Sequence, residues 1–265
     1  INLAALKHVR SEEDAFTLMR MLEVNIFNTI KTLKLAEKMR AKKYFCVSTD
    51  KAANPVNLMG ASKKIMELFL DGSGALDVST ARFANVAFSD GSLLSGFENR
   101  IKRQQPLACP RDIRRYFVTE KESGLICLLS TMLGGDREIF YPKLGEEFLI
   151  NIEEVARRYL ASMGKEAVDC ASEIEARSVM SEIDLSRQWA LLLTNSDTTG
   201  EKSYEEFYAR EEERDESRFF DLGIIRRAQS SNESVLLEFE NAVHNLRSKG
   251  NWSKQELVNE IKKVI

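Results

Sequence analysis

Histidine and cysteine are scarce in this 265-residue chain, and their scarcity excludes several kinds of site. The two histidines, His8 and His244, lie too far apart in the sequence to form a metal cluster, so we expect no metal site. The four cysteines form no Cys-x-x-Cys pair. In a chain of this length, that spacing favours reduced thiols and a cytoplasmic location.

An excess of positive charge and long apolar runs are also lacking. Lysine and arginine total 38 against 41 aspartates and glutamates, and the resulting net charge of −3 argues against a general nucleic-acid binder. No apolar run approaches the roughly 20 residues that span a bilayer, so no membrane segment is predicted. With 43% hydrophobic and 30% charged residues, the composition is that of a folded globular protein.

The first residues lack a starting methionine, a helix cap and a turn signal. The run Ile-Asn-Leu-Ala-Ala over residues 1–5 is typical of the end of a β-strand, so we expect this chain to be a fragment of a longer one. In a doubly wound sheet this strand would lie beside the first strand. Without that neighbour its apolar edge would be exposed, and we expect residues 1–265 not to fold stably alone.

Strands and helices alternate over the first ninety residues. Predicted strands at Lys42–Thr49 and Asp77–Val86 alternate with helices at residues 12–39 and Leu58–Leu70. Such alternation indicates βαβ units and a parallel sheet. Farther along, a buried strand is predicted at Gln188–Thr194, the charge run Lys202–Asp221 is interpreted as a solvated helical face, and amphipathic helices end the chain.

Polar side chains follow the predicted strands where ligands of parallel sheets bind, beyond the carboxyl ends. Ser48-Thr49-Asp50-Lys51 places two hydroxyls, an acid and a base on one turn, and Lys63 follows on the next helix. Taken alone, this run predicts only a polar turn after a strand. Its wider context changes that interpretation.

Together with their neighbours, these residues resemble the extended short-chain dehydrogenase/reductase family. More closely, they resemble the nucleotide-sugar 4,6-dehydratases of bacterial polysaccharide and flagellin-glycan synthesis. The resemblance covers roughly residues 1–206. The motifs that carry it are Ala4-Ala5-Leu6-Lys7-His8-Val9, Asn25, the run Ser48–Lys63, Arg82-Phe83-Ala84-Asn85-Val86, Gly91-Ser92, Arg115-Tyr116-Phe117-Val118-Thr119, Pro142-Lys143-Leu144 and Gly200-Glu201-Lys202.

The resemblance implies an α/β fold: a doubly wound, Rossmann-like parallel sheet without its N-terminal strands, a smaller α+β substrate domain and a helical C-terminal extension. The implied boundaries are 1–90 for the NAD(P)-binding part, 91–206 for substrate-binding segments interleaved with it, and 207–265 for the extension. It also implies NADP or NAD as cofactor, a UDP-sugar (UDP-N-acetylglucosamine first) as substrate, and a homo-oligomer.

The resemblance also implies roles for individual residues. Asp50 would be the acid at C6 of the sugar and Lys51 the base at C5, while Thr49 (or Ser48) would bond the sugar. Lys63 would bind the nicotinamide ribose and help deprotonate the C4 hydroxyl. The implied cofactor-binding residues are Ala4, Ala5, Lys7, Asn25, Ser48, Lys63 and Asn85, and the implied substrate-binding residues are His8, Asn85, Ser92, Arg115 and Lys202.

The chain departs from the family pattern at two points. Met59 stands where the usual Tyr-x-x-x-Lys pair has its tyrosine, as in some members of the dehydratase branch, and the glycine-rich pyrophosphate loop is not in these residues. Two alternatives therefore stay open: a 4-epimerase or reductase on the same fold, and a non-catalytic nucleotide-sugar-binding relative. The adjacent Asp50 and Lys51 favour dehydration, because an epimerase needs no C6 acid and no C5 base.

Overall fold

A computed structural model describes residues 1–72, 74, 76–195, 204, 206–228 and 232–265. The chain divides into two compact units. The first unit comprises Ile1–Phe83, Lys121–Lys143 and Glu206–Ile265, and the second comprises Ala84–Glu120 and Leu144–Glu205.

The described residues form short strands and helices in mixed order. The strands are β1 (Lys43–Thr49), β2 (Asp77–Phe83), β3 (Asn85–Val86), β4 (Leu107–Pro110), β5 (Arg114–Arg115), β6 (Phe117–Val118), β7 (Glu138–Pro142), β8 (Ile150–Asn151), β9 (Glu166–Cys170), β10 (Gln188–Thr194), β11 (Glu213–Asp215) and β12 (Leu222–Arg226). The α-helices are α1 (Ala15–Leu22), α2 (Asn28–Lys38), α3 (Leu58–Asp71), α4 (Leu93–Lys102), α5 (Glu120–Leu133), α6 (Ile152–Ser162), α7 (Glu173–Glu182), α8 (Glu233–Lys249) and α9 (Lys254–Lys262).

The main sheet of the first unit has the order β1-β2-β7-β12-β11 among the described residues. β1, β2 and β7 are parallel, while β12 and β11 are antiparallel additions at one edge. β1 and β2 are in register from Lys43 opposite Asp77 to Thr49 opposite Phe83, so their carboxyl ends lie side by side. On the other side of β1, Asn2 forms a single parallel bridge to Cys46.

Helices cover both faces of this sheet because successive strand residues point to opposite sides. Tyr44 and Cys46 of β1 pack in a core with α1, α2, α3, α8 and α9, whereas Phe45 packs in a second core that includes Ile126 of α5. The predicted parallel sheet with flanking helices is confirmed. Among the described residues, no helix is long and apolar enough to cross a membrane.

The second unit is built on a parallel sheet of the order β4-β10-β9. β10 has the bounds that the sequence predicts, Gln188–Thr194, because its apolar run is buried on both sides. Its core joins Leu107 of β4 and Trp189 and Leu191 of β10 with side chains of α4 and α6. Two short pairs, β3 with β6 and β5 with β8, complete the described strands of this unit.

The expectation of a helical extension at 207–265 is wrong for its first part. Residues 206–228 contain no helix and contribute β11 and β12 to the main sheet, and only α8 and α9 are helical. The apolar run Leu222–Ile225 is buried as an edge addition to β7, and Phe207 and Ala209 are buried as well. The charge run therefore does not form a solvated helical face where it is described. Its first residue, Lys202, lies outside the described residues.

Two predicted elements are interrupted. The long helix predicted at residues 12–39 contains a π-helical turn, Glu23–Phe27, between α1 and α2. The strand predicted at Asp77–Val86 breaks at Ala84, and its two parts pair with different neighbours in different units. The first unit also takes residues 121–143 and 206–265, and the domain boundaries expected at residues 90 and 206 stay predictions.

Candidate functional site

The carboxyl end of β1 turns directly into a 3-10 helix, Asp50–Ala52, that carries the predicted acid and base. Asp50 is buried, and its Oδ1 atom accepts hydrogen bonds from Thr49 Oγ1 (2.8 Å), Lys51 N (2.9 Å) and Lys51 Nζ (3.1 Å). Its Oδ2 atom is buried and has no partner among the described residues. Because an unbonded buried oxygen is costly, this atom is the strongest local indication of a ligand site.

Helix α3 begins against this turn, and Gly60 allows the close approach. A Cβ atom at Gly60 would lie 2.5 Å from the carbonyl oxygen of Lys51. Asn57 caps the helix by accepting from Gly60 N at 2.8 Å, and Glu12 accepts from Leu58 N at 2.8 Å and from Met59 N at 3.2 Å. The Asn-x-x-Gly spacing of the motif therefore holds α3 against the turn.

Lys63 lies on α3 beneath the end of β1 and is almost fully buried. Its Nζ atom donates to Val47 O at 2.9 Å and lies 3.6 Å from Met66 Sδ. Burial lowers the pKa of Lys63, and the nearby Cys46 and Glu67 oppose that shift. A lysine that loses its proton more readily suits the predicted role beside the C4 hydroxyl.

Asn25 lies in the π-helical turn and joins three parts of the first unit. Its side chain accepts from Leu6 N (2.8 Å) and donates to Leu6 O (3.0 Å) and Ser62 Oγ (2.9 Å). The amide thus fixes the N-terminal segment to α3. Its predicted cofactor contact stays a prediction.

The remaining predicted cofactor and sugar residues of the first unit differ in exposure. Ala4, Ala5, Lys7 and His8 are exposed, and Ala4 N donates to Asn2 Oδ1 at 3.1 Å. Ser48 is buried and donates its hydroxyl to Glu67 Oε1 at 2.6 Å, facing α3. The structure therefore brings together Ser48, Thr49, Asp50, Lys51 and Lys63.

Three predicted substrate residues lie in the second unit. Asn85 Nδ2 donates to Tyr116 O at 3.1 Å, Ser92 caps α4 by accepting from Ser95 N, and Arg115 is buried with a donor bond to Arg114 O. Lys202 is not among the described residues. The roles of these four residues stay predictions.

A buried ion network that the sequence motifs did not predict lies next to the turn. Arg82 donates to both oxygens of Glu67 (3.0 and 2.7 Å) and to both oxygens of Glu212 (2.6 and 2.8 Å). Burial raises the pKa of Glu67, but Arg82 and then Arg227 outweigh it and lower the pKa to about 2. One signal was available: Glu67 lies one helical turn after Lys63, on the same face of α3.

The residues present fit one end of a nicotinamide dinucleotide. Lys63 has three N–H donors and two partners among the described residues, so one donor remains for a ribose hydroxyl. The 265 residues contain no Gly-x-Gly-x-x-Gly turn for the pyrophosphate. No group of three or more His, Cys, Asp or Glu that could hold a metal occurs among the described residues.

A family model described as "polysaccharide biosynthesis protein" matches residues 1–226. The chain is 30% identical over 175 residues to the capsular polysaccharide biosynthesis protein CapD of Staphylococcus aureus, an alignment that covers 64% of this chain and 28% of CapD. It is 33% identical over 164 residues to a UDP-N-acetylglucosamine 4,6-dehydratase (inverting) of Campylobacter jejuni (57% of this chain, 47% of the relative). It is 31% identical over 147 residues to a UDP-glucose 4-epimerase of Rickettsia rickettsii, an alignment that covers 53% of this chain and 42% of the relative.

The chain spans less than half the length of these three relatives. Among solved structures, Pen from Bacillus thuringiensis has a TM-score of 0.63 and 24% identity, covering 88% of this chain and 68% of that one. DesIV, a dTDP-glucose 4,6-dehydratase from Streptomyces venezuelae with NAD and TYD bound, has a TM-score of 0.57 and 17% identity. The match covers 78% of this chain and 64% of DesIV. At these identities, the likeness is one of fold.

Proposed function

The chain belongs to the polysaccharide biosynthesis protein family. We propose that it carries the catalytic acid and base of a nucleotide-sugar 4,6-dehydratase. The proposed substrate is UDP-N-acetylglucosamine, the cofactor is NAD or NADP, and the product is a 4-keto-6-deoxy sugar for surface polysaccharide or glycan synthesis. Family membership confirms the resemblance that the motifs indicated. The reaction and substrate rest on the geometry described above and on the Campylobacter relative.

One observation carries the proposal: Asp50 presents a buried, unbonded oxygen beside Lys51. Oδ1 already accepts three hydrogen bonds among the described residues, so a proton on Asp50 resides on Oδ2. From there it can be donated outward to a leaving hydroxyl. General acid catalysis requires such a positioned donor.

Asp50 and Lys51 can return to their starting state after one elimination. Their contact joins Lys51 Nζ to Asp50 Oδ1 at 3.1 Å, so the proton on Oδ2 comes from solvent as Lys51 releases one, which gives a carboxylic acid and an amine. The amine then accepts the C5 proton, and the acid donates its proton to the C6 hydroxyl, which leaves as water. After this step Lys51 is protonated and Asp50 is ionised, as at the start, so one elimination needs no net proton from outside.

The oxidation of C4 makes the C5 proton acidic, and bound NAD(P) supplies that chemistry by accepting a hydride and later returning it. Lys63 would hold the ribose with its free N–H donor. Met59 is buried and has no proton to exchange, so the C4 hydroxyl would depend on Lys63 and Thr49. The lowered pKa of Lys63 favours that role.

The test is product analysis with the protein as its gene encodes it. After incubation with UDP-N-acetylglucosamine in D₂O, we expect a sugar that has lost one water and gained deuterium at C5. Asp50→Asn should abolish the loss of water, whereas Asp184→Asn, an exposed carboxylate bonded to Ser186, should leave it intact. Unchanged dehydration by Asp50→Asn would contradict the role of Asp50.

A 4-epimerase is the second candidate, favoured by the Rickettsia relative. An epimerase would invert C4 without loss of water, and Asp50→Asn need not reduce its turnover. The same product analysis separates the two activities. Mass spectrometry of small molecules released on denaturation would identify a co-purified NAD, NADP or UDP-sugar, whereas a non-catalytic relative would form neither product.

A further inference from the structure

Residues 206–212, here called the 206–212 segment, are irregular in backbone but firmly attached to the first unit. Phe207 and Ala209 are buried, and the ring of Phe207 stacks on Tyr141 with centroids 6.2 Å apart. Arg82 donates to Phe207 O at 3.0 Å, and Glu212 Oε2 accepts from Ala209 N at 2.9 Å. The segment thus has a defined structure without helix or strand.

The segment is connected to the chain just before the Asp50 turn. Glu212 forms a two-bond ion pair with Arg82, Arg82 forms another with Glu67, and Glu67 accepts the Ser48 hydroxyl at 2.6 Å. Ser48 precedes Asp50 by two residues. Arg82 is fully buried and Glu67 nearly so, so this connection lies in a low-dielectric environment where charged hydrogen bonds are strong.

The segment is also connected to the chain just after the turn. Asn54 Nδ2 donates to Glu206 Oε2 at 3.1 Å, and Asn54 follows the 3-10 helix Asp50–Ala52 by two residues. One end of the 206–212 segment therefore bonds Asn54 directly after the turn that carries Asp50 and Lys51. The other end is linked to Ser48, before the turn, through Arg82 and Glu67.

We propose that Glu206 and Glu212 are positioning residues that set the geometry of the Asp50–Lys51 pair from both sides. Among the described residues, the Asp50 side chain accepts hydrogen bonds only from Thr49 and Lys51, its immediate neighbours. The turn packs against α3 at Gly60 and can shift on its other sides unless further contacts hold it. The direct bond of Glu206 to Asn54 and the link from Glu212 through Arg82 and Glu67 to Ser48 restrict that shift. The inference deepens the proposed function and rests on it.

The charge run has a second interpretation, in which these glutamates only stabilise the fold. The two interpretations differ in what they predict for kinetics. Loss of a purely stabilising contact lowers the fraction of folded protein and leaves the turnover of each folded molecule unchanged. Loss of a positioning contact lowers kcat with little change in KM, because the substrate still binds while its acid and base are displaced.

The experiment compares four single variants and one double variant in the protein as its gene encodes it. Glu206→Ala and Asn54→Ala each remove the partly exposed contact after the turn, and their double variant tests coupling. Glu212→Gln weakens the buried contact while keeping one acceptor oxygen. Asp215→Asn is the control, because its half-exposed ion pair with Arg226 lies three residues farther along the chain.

We expect Glu206→Ala, Asn54→Ala and Glu212→Gln each to lower kcat roughly 10-fold, with KM within about twofold. The double variant should be no slower than either single variant, and Asp215→Asn should match the parent protein. Unchanged kcat in both glutamate variants would overturn the inference. So would a double variant whose loss equals the product of the two single losses, because the residues would then act independently.

Hydrogen exchange provides a readout that does not depend on activity. The backbone amides of residues 50–57 should exchange faster in Glu206→Ala than in Asp215→Asn at equal thermal stability. Equal exchange in the two variants would overturn the inference. If the parent protein forms no dehydrated product, the proposed function fails, and the exchange experiment still decides whether the 206–212 segment holds the turn.

Discussion

Asp50 and Glu67 are buried carboxylates on neighbouring elements of the first unit, and they differ in how their oxygens are bonded. Both oxygens of Glu67 accept donors: Ser48 and Arg82 on Oε1, and Arg82 and Arg227 on Oε2. Asp50 accepts three donors on Oδ1 and none from the described residues on Oδ2. Both carboxylates are buried, so burial alone does not distinguish them, whereas the distribution of donors does.

A fully bonded carboxylate has little capacity to act on a ligand. The Arg82 guanidinium keeps the pKa of Glu67 at about 2 despite burial, so Glu67 remains ionised and paired over the physiological range. An open oxygen, in contrast, costs stability until a ligand occupies it. Substitutions should therefore affect the stability of these two regions to different extents.

The largest loss of stability is expected where Arg82 pairs with Glu67 and Glu212. Arg82→Met leaves Glu67 and Glu212 buried without their main partner, and we expect the free energy of unfolding to fall by about 3–5 kcal/mol. Urea unfolding followed by circular dichroism measures this change. Arg226→Met, which removes a half-exposed ion pair with Asp215, is the matched control and should cost less than about 1 kcal/mol. Similar losses of stability in the two variants would show that the buried Arg82 pairs matter no more than the half-exposed pair.

A smaller effect is expected where α3 meets the Asp50 turn. Gly60→Ala places a Cβ 2.5 Å from Lys51 O, so helix or turn must shift, and we expect a loss of about 1–3 kcal/mol. Gly96→Ala in α4 meets nothing within 4 Å and should stabilise the protein by about 0.5–1 kcal/mol. Thermal unfolding of both variants checks the prediction. A Gly60→Ala variant more stable than the parent protein would show that α3 and the Asp50 turn leave room for a Cβ atom.

Asp71 is a third buried carboxylate of the first unit and lies one helical turn after Glu67. Its pKa is shifted in the opposite direction. Burial raises the pKa of Asp71 to about 7, although Arg227 opposes this at 2.7 Å. A raised pKa in the folded state favours folding below pH 3.8, and this contribution is lost as the pH rises through about 7.

Asp71→Asn should therefore gain stability relative to the parent protein between pH 4 and pH 7, by on the order of 2 kcal/mol. Glu67 does not contribute in this window, because its stabilising contribution is lost only as the pH falls below 4.5 toward about 2. Melting temperatures of both proteins over this range give the measurement. A constant difference between them would show that Asp71 titrates normally.

The smallest effect on stability is expected at Asp50. Asp50→Asn keeps an oxygen for the three donors and loses only the charge of the pair with Lys51, so the free energy of unfolding should fall by about 1 kcal/mol. The same variant should lose dehydration. Equal losses of stability in Asp50→Asn and Arg82→Met would place Asp50 among the structural carboxylates. Unfolding in urea, carried out beside the activity assay, separates the two outcomes.

The turn of the candidate site was predictable because its residues are contiguous. Ser48, Thr49, Asp50 and Lys51 follow an apolar strand directly, and Lys63 follows within the next helix, so strand and helix periodicity place them at one sheet end. The bounds of β10 were predictable for the same reason, since five consecutive apolar residues between Gln188 and Thr194 indicate a buried strand. Local pattern and backbone geometry are sufficient for such features.

The surroundings of the turn depend on residues far apart in the chain. Arg82 lies 15 residues from Glu67 and 130 from Glu212, and Asn54 lies 152 from Glu206. A charge run with the composition of a solvated helix is instead irregular over residues 206–212, where Phe207 and Ala209 are buried and Arg82 forms two-bond pairs with Glu212 and Glu67. The sequence alone determined which chemistry stands at the end of β1. Only the tertiary structure decided which carboxylates pair with arginine and which carboxylate oxygen has no hydrogen-bond donor among the described residues. Desolvation and pairing depend on distances that no local pattern encodes.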